Sequence, residues 1–391
     1  MEKIRVGVVG LGHRGRELLK LSAEFDCVEI VAACDILPRN WYEQQWLSAA
    51  PLSDMFPKTV FYEDYDKMLD EAGLDVVIVE TGADIHAEFC IKGLERNINV
   101  LSDIPNVASL KEAELLWKAA QKSEAIISTG ANPNYQKFTF LLNDFYNKGL
   151  LGNPYCMEAE YIHWSLPNSK ERKHLNENGD WRKLLIPIRY CTHSLGPLLS
   201  ILKEPLRKVT CFGTGYHADG PIETCFGSVV TNDESHDIKK DDMMCAQFQT
   251  DSGVVVRLMR NGRCRAQVQH HNYRVFGTEG YMERMERMGK AVIRYNSMRE
   301  LSTSMKEIGG EYMPPAYAGN EKATGHGGMD YAMLDYFYKA ILEGTGAPIS
   351  LKQGLEMTLP GIYAEESAKR GGKVLRMKYP WDEDWTCEIE D

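Results

Sequence analysis

No apolar run in the 391 residues reaches the roughly 20 that a membrane-crossing helix needs. The ten cysteines never form a Cys-x-x-Cys pair. That scatter excludes a zinc knuckle and a disulfide framework, and suits free thiols in a reducing compartment. Positive charge is in deficit: 45 Lys and Arg stand against 56 Asp and Glu, for a formal net charge of −11 at pH 7. Such a balance disfavours nucleic acid and anionic membrane surfaces as partners. No internal repeat or low-complexity tract stands out. Met1 and Glu2 lead directly into the first apolar stretch, so no signal peptide is read and a cytoplasmic location is expected. What remains is globular: 43% hydrophobic, 26% charged and 10% aromatic. The length exceeds one ordinary core, so two domains are expected.

The most informative stretch is the first. Lys3 to Val9 is a short apolar run rich in β-branched residues. It leads into Gly10-Leu11-Gly12-His13-Arg14-Gly15, and Arg16-Glu17-Leu18-Leu19 then opens a helical pattern. Strand, glycine turn and helix in that order suit a dinucleotide. Gly10 allows the tight turn, Gly12 leaves room for a pyrophosphate, and Gly15 lets the helix pack on the strand. His13 and Arg14 lie at the helix entrance. A second apolar run ends at Asp35, twenty residues after Gly15. An acid there binds a ribose 2′-hydroxyl and repels a 2′-phosphate, so NAD is favoured over NADP. Arg39 lies close enough to leave NADP open.

Residues 1–130 alternate strand-like runs (Ile4–Val9, Glu29–Ala33, Val76–Glu80, Val100–Ser102, Ala125–Thr129) with helical patterns. The alternation predicts an α/β fold with a parallel, doubly wound sheet. Ligands bind beyond the C-terminal strand ends of such sheets. Three ends are candidates: Glu80-Thr81-Gly82 with His86 following, Ser102-Asp103-Ile104-Pro105, and Thr129-Gly130-Ala131-Asn132-Pro133-Asn134. Thr81 reads as a cofactor contact or a helix cap, and His86 as a cofactor contact or a packing histidine. From 131 to 391 the pattern changes to an α+β domain with a largely antiparallel sheet. Its strands are read at Tyr155–Trp164, Arg207–Thr214, Asp242–Thr250, Gly253–Arg260 and Gln267–Thr278. Asp251-Ser252-Gly253 reads as a hairpin turn. Two stretches, His217–Asp241 and Asn296–Gly325, read as loops, and Tyr331–Glu343 and Gly354–Lys369 as closing helices. Adjacent His270 and His271 point to opposite faces of a strand, so no metal site is read.

These residues resemble the Gfo/Idh/MocA oxidoreductases over most of the chain. The likeness rests on the glycine loop, on Thr81-Gly82-Ala83-Asp84-Ile85-His86, on Asp103-Ile104-Pro105, and on Tyr273-Arg274-Val275-Phe276-Gly277-Thr278-Glu279-Gly280. It implies a Rossmann domain joined to an α/β domain whose open sheet covers the nicotinamide and often mediates homo-oligomers, here a dimer or tetramer. Most members carry Glu-Lys-Pro at the third motif, where the Lys assists proton transfer. Here Ile104 stands in that place and can neither donate nor accept a proton. Many members also carry Asp four residues before the active-site His, where this chain has Arg189.

One branch fits better, that of the NAD-dependent α-N-acetylgalactosaminidases, glycoside hydrolase family 109. It replaces the Lys by an apolar residue. Its Tyr-x-Thr-His-x-Leu-Gly-Pro is matched by Tyr190, Thr192, His193, Leu195, Gly196 and Pro197, and its Gly-His-Gly-Gly-Met-Asp by Gly325 to Asp330. The resemblance implies a redox-neutral route: oxidation at sugar C3, loss of the C2 proton, departure of the C1 substituent, water addition and re-reduction. On this reading the C3 hydroxyl needs a base, for which His193 is the candidate. Tyr190, three residues earlier, donates to a sugar oxygen or relays a proton. Tyr161 is the candidate base at C2 or a sheet aromatic. Substrate contacts are expected from Asp103, Trp164, Arg189, Thr192 and His326. Cofactor contacts are expected from Gly10, Gly12, His13, Arg14, Gly15, Asp35, Thr81, His86, Asp103, Asn132 and Asn134. Asp330 also reads as a cap for the helix that follows it. A sugar 3-dehydrogenase releasing a 3-keto product and a non-catalytic NAD-binding regulator are the alternatives.

Overall fold

The computed structural model describes residues 3–45, 48–164, 166–167, 186–215, 222–223, 229–230, 243–264, 270–287, 290–300, 304–309 and 326–390. The chain divides into two compact units, Met1–Asn132 with Gly319–Leu355, and Pro133–Ala318 with Glu356–Asp391. A single boundary at 130 would assign 319–355 to the second unit, whereas that segment groups with the first.

The first unit is built on six strands: β1 (Ile4–Val9), β2 (Val28–Cys34), β3 (Val60–Tyr62), β4 (Val76–Val79), β5 (Asn99–Ser102) and β6 (Ile127–Thr129). All pairings are parallel, in the order β3-β2-β1-β4-β5-β6. This is the Rossmann order, and the expected doubly wound sheet is present. All four residues of Val76–Val79 are fully buried, as a parallel sheet covered on both faces requires. The crossover helices include His13–Ser22, Tyr65–Glu71, His86–Glu95 and Leu110–Lys122. Local chemistry starts two of them. Asp64 accepts from the Lys67 N–H, and Ser109 accepts from the Glu112 N–H while Glu112 reaches back to Ala108. The edge strand β3 is only three residues long and has no counterpart among the strands read from sequence.

The second unit carries β7 (Pro154–Trp164), β8 (Leu166–Pro167), β9 (Leu206–Gly213), β10 (Ile222–Glu223), β11 (Val229–Val230), β12 (Met243–Thr250), β13 (Val255–Cys264), β14 (His270–Gly277), β15 (Gly280–Arg287), β16 (Lys290–Ser297), β17 (Lys306–Ile308) and β18 (Leu375–Arg376). Nine of them form one sheet in the order β17-β16-β15-β14-β7-β13-β12-β9-β18. Among the described residues only β7 and β13 pair in parallel, so the sheet is mixed and mostly antiparallel. The Asp251-Ser252-Gly253 turn joins β12 to β13, with Gly253 at φ +100°. β8, β10 and β11 make a small separate sheet.

Period-two alternation sorts the faces of the large sheet. Met157, Ala159 and Tyr161 of β7 are buried, with Val256 and Leu258 of β13 and Tyr273 and Val275 of β14. The helix Thr192–Leu199 packs on β7 and β14. Glu158 and Glu160 belong to the alternate set. Glu158 pairs with Arg257 and Arg274, at 3.1 and 2.6 Å. Strands β15 to β17 were not anticipated. Their exposed positions carry Glu, Arg and Lys in cross-strand pairs, such as Arg294 with Glu307, which masks the alternation.

Candidate active site

The glycine loop of the first unit behaves as steric argument requires. Gly10 sits at φ +87°, and a Cβ there would lie 2.5 Å from the Glu80 carbonyl oxygen. A Cβ on Gly15 would lie 1.9 Å from the Gly10 carbonyl oxygen, so nothing larger fits. Around Gly12 there is open space, and no side chain caps the helix His13–Ser22 that it begins. Bare helical N–H groups beside a gap suit a pyrophosphate. Asp35 accepts from the N–H groups of Leu11 (2.7 Å) and Leu37 (2.8 Å) and from the Asn40 amide (3.0 Å). One carboxylate oxygen therefore takes a single bond and keeps acceptor capacity for a ribose hydroxyl. His13 is half exposed, 3.3 Å from Glu17.

Arg14 is held firmly. Its Nη1 and Nη2 donate to the two Asp330 oxygens at 2.6 and 2.7 Å. The Asn132 amide donates to the same carboxylate at 2.8 Å, and the His326 ring nitrogen Nδ1 lies 2.9 Å from it. Asp330 therefore does not cap its helix, Met329–Glu343, whose N-cap is Gly328 with no side-chain bond. Burial alone would raise the Asp330 pKa, but the hydrogen bonds from His326 and Arg14 and their charges outweigh it and hold the group well below the usual carboxylate range. His326 is pushed up by its bond to Asp330, against burial. It sits at φ +50°, followed by Gly327 at +65° and Gly328 at +88°, which presents the half-exposed ring back towards Asp330.

The strand ends hold a second acidic group. Burial, then the charge of Asp103, raises Glu80 well above the ordinary carboxyl range, and its side chain hydrogen-bonds Asp103. Thr81 does not cap the next helix, whose N-cap is Ile85. Its Oγ1 is buried and meets no partner among the described residues, as does Oδ1 of Asn132. Such orphaned groups fit a polar ligand. The His86 ring nitrogens lie 2.9 Å from the Pro105 carbonyl oxygen and 2.7 Å from that of Thr81, bracing two strand ends. Ile104, at 4% exposure, is part of the core.

In the second unit, Tyr190, Thr192 and His193 gather at the start of the helix Thr192–Leu199. The Tyr190 hydroxyl is 3.1 Å from His193 Nε2. Pro197 lies four residues after His193 and has no N–H, so the His193 carbonyl lacks its helical partner. The Tyr273 hydroxyl replaces it, donating at 2.7 Å. Gly196 leaves room for Asn134, whose Oδ1 would lie 2.2 Å from a Cβ there. That Asn134 oxygen and the Thr192 hydroxyl are buried without partners among the described residues. Arg189 pairs with Glu365. Tyr161, 6% exposed, lies with its ring centroid 5.9 Å from those of both Tyr190 and His193.

Sequence reasoning missed three neighbours. Arg260 of β13 and His271 of β14 are the register partners of Tyr161 on either side. The His271 ring meets the Tyr161 ring edge-on at 3.8 Å, and the Arg260 guanidinium lies 4.1 Å from its centre. The third is Tyr273. A signal existed for Arg260: it continues the buried phase of Val256 and Leu258, where a charge is out of place. The Trp164 side chain lies outside the described residues. Among the described residues no group of three or more His, Cys, Asp or Glu could hold a metal ion, and no helix is long and apolar enough to cross a membrane.

Residues 4–131 match the oxidoreductase family with an NAD-binding Rossmann fold. Residues 170–381 match the C-terminal domain of glycosyl hydrolase 109. The chain belongs to glycosyl hydrolase family 109. It is an NAD-dependent enzyme acting on carbohydrate. A relative from Shewanella oneidensis named alpha-N-acetylgalactosaminidase is 23% identical over 94% of this chain and 83% of that protein. A family 109 protein of Bacteroides thetaiotaomicron is 25% identical over 86% of this chain and 75% of its own length. In fold, a levoglucosan dehydrogenase solved with NADH and L-sorbose superposes with a TM-score of 0.75 at 17% identity, covering 97% of this chain and 100% of that one.

Proposed function

We propose that this family 109 enzyme cleaves a glycoside by transient oxidation at sugar C3, without net redox change. The observation that carries the reading is the Tyr190–His193 pair at 3.1 Å with Tyr161 beside both, in a chain whose Ile104 removes the usual lysine.

NAD would be held by Gly10, Gly12, Gly15, Asp35 and Thr81, and when bound it would supply the reversible acceptor for the C3 hydride. His13, Arg14, Asp103, Asn132 and Asn134 complete that set, Arg14 by fixing Asp330 and His86 by bracing the strand ends. His193 takes the C3 hydroxyl proton, and Tyr190 orients its Nε2 or relays that proton. The resulting C3 carbonyl acidifies the C2 hydrogen. Tyr161 takes that proton, and the C1–O bond breaks as the C1–C2 double bond forms. Water then adds at C1, Tyr161 exchanges its proton with solvent and reprotonates C2, and His193 returns a proton to the C3 oxygen as the carbonyl is reduced. Asp103, Trp164, Thr192 and His326 are assigned to sugar hydroxyls, and Arg189 to the wall of the sugar site.

The named relative supports N-acetylgalactosaminides as the first substrates to try. The second unit carries most of the substrate binding and the self-association. A dimer or tetramer is supported by its open sheet, and a cytoplasmic location by its thiols and acidic charge. The test is a pair of aryl glycosides, one with a free C3 hydroxyl and one methylated there. Cleavage of the first alone is expected, and cleavage of the blocked one refutes the reading. Steady NADH accumulation with a 3-keto product would assign a dehydrogenase instead.

A further inference from the structure

Arg260 is fully buried, although it lies on a strand whose other inward residues are Val256 and Leu258. A desolvated guanidinium is costly unless negative or π-electron density meets it. Its carbon lies 4.1 Å from the centre of the Tyr161 ring and 5.4 Å from that of Tyr190. Its Nη1 donates to the Tyr161 carbonyl oxygen at 3.3 Å and to that of Asn261. The same side chain therefore binds the backbone of Tyr161 and covers its ring. Parallel register fixes this, since Arg260 and Tyr161 are direct partners across β13 and β7.

We propose that Arg260 is a positioning residue that holds Tyr161 and favours its ionised, proton-accepting form. This rests on the reading that Tyr161 is the base at C2. In that step the C2–H bond breaks, the proton goes to the Tyr161 oxygen, and the electron pair forms the C1–C2 bond as the leaving group departs. A phenolate must exist beforehand, and burial alone works against one. A phenolate ring is richer in electrons than a phenol ring, so a cation stacked on it stabilises the ionised form. Among the described residues the other rings facing Tyr161 are His271 from β14, and Tyr190 and His193 from the start of the helix Thr192–Leu199. An ordinary imidazole is neutral well above about pH 6.5, so an alkaline titration reads Arg260 without the histidines.

The test is the ultraviolet titration of ionised tyrosine in the intact protein, taken as the difference between wild type and Tyr161→Phe. Tyr161 is expected to ionise below about pH 10, the ordinary value, whereas burial without a cation places it above. Arg260→Gln should raise that ionisation by about one to two pH units, and Arg260→Lys by less. The rising limb of the pH–kcat profile should move with it. Ionisation at or above the ordinary value, or no movement in Arg260→Gln, overturns the proposal. Should Arg260→Gln fail to fold, the wild-type sign still decides. A shifted Tyr161 in a protein that cleaves no glycoside would fail the proposed function and leave the Arg260–Tyr161 coupling standing. Glycoside cleavage with an unshifted Tyr161 would do the reverse.

Discussion

Replacing Asp330 by alanine removes the acceptor on which Arg14, Asn132 and His326 converge. The carboxylate is 4% exposed and accepts from Arg14 at 2.6 and 2.7 Å, from Asn132 at 2.8 Å and from His326 at 2.9 Å. Removing one member of a buried ion pair costs about 3–5 kcal/mol, chiefly because the other charge stays buried. Arg14 is 18% exposed, so water recovers part of that and the lower end, about 3 kcal/mol, is expected. For a unit of this size that is a fall of about 6–12 °C in Tm. Urea denaturation of Asp330→Ala, Arg14→Met and the double variant supplies the cycle, and the double variant should lose clearly less than the two singles together. A cost for Asp330→Ala below about 1 kcal/mol, or simple additivity, would refute the argument. The pH dependence follows from the two shifts. Asp330 is held below its ordinary range, so its stabilisation is present above about pH 3.9 and fades as pH falls further. His326 is raised, so its contribution is full below about pH 6.5 and is lost as pH rises through the folded value.

Gly15→Ala places a Cβ against the Gly10 carbonyl, 1.9 Å away, so NAD retention on gel filtration should be lost. Tyr273→Phe should cost about 1–3 kcal/mol by leaving the His193 carbonyl without its replacement donor, read as a lower urea midpoint. His193→Ala should reduce sugar-dependent turnover by about 10²–10⁴-fold with NAD still bound, and unchanged turnover would remove His193 from the chemistry.

The first unit was legible because its signals are local. Glycine spacing, the acid at 35 and fully apolar runs such as Val76–Val79 each carry their meaning within a few residues. Tyr190 and His193 were legible from a short motif. What escaped depends on chain brought together over long separations. Asp330 looked like a cap because its true partner, Arg14, is 316 residues away. Glu80 looked like the end of an apolar run because the charge that raises its pKa, Asp103, follows the end of the neighbouring strand β5. Arg260 and His271 join Tyr161 only through the register of three strands. Strands β15 to β17 were hidden because charges on an open sheet face replace the usual alternation.

Redox-neutral cleavage through C3 oxidation is tested most directly by running the reaction in D₂O. NAD-loaded protein would turn over an aryl glycoside while the released sugar is analysed for deuterium at C2 and the NADH band is followed. The account predicts deuterium at C2 with no net NADH. A released sugar carrying only its original hydrogen at C2 would contradict it.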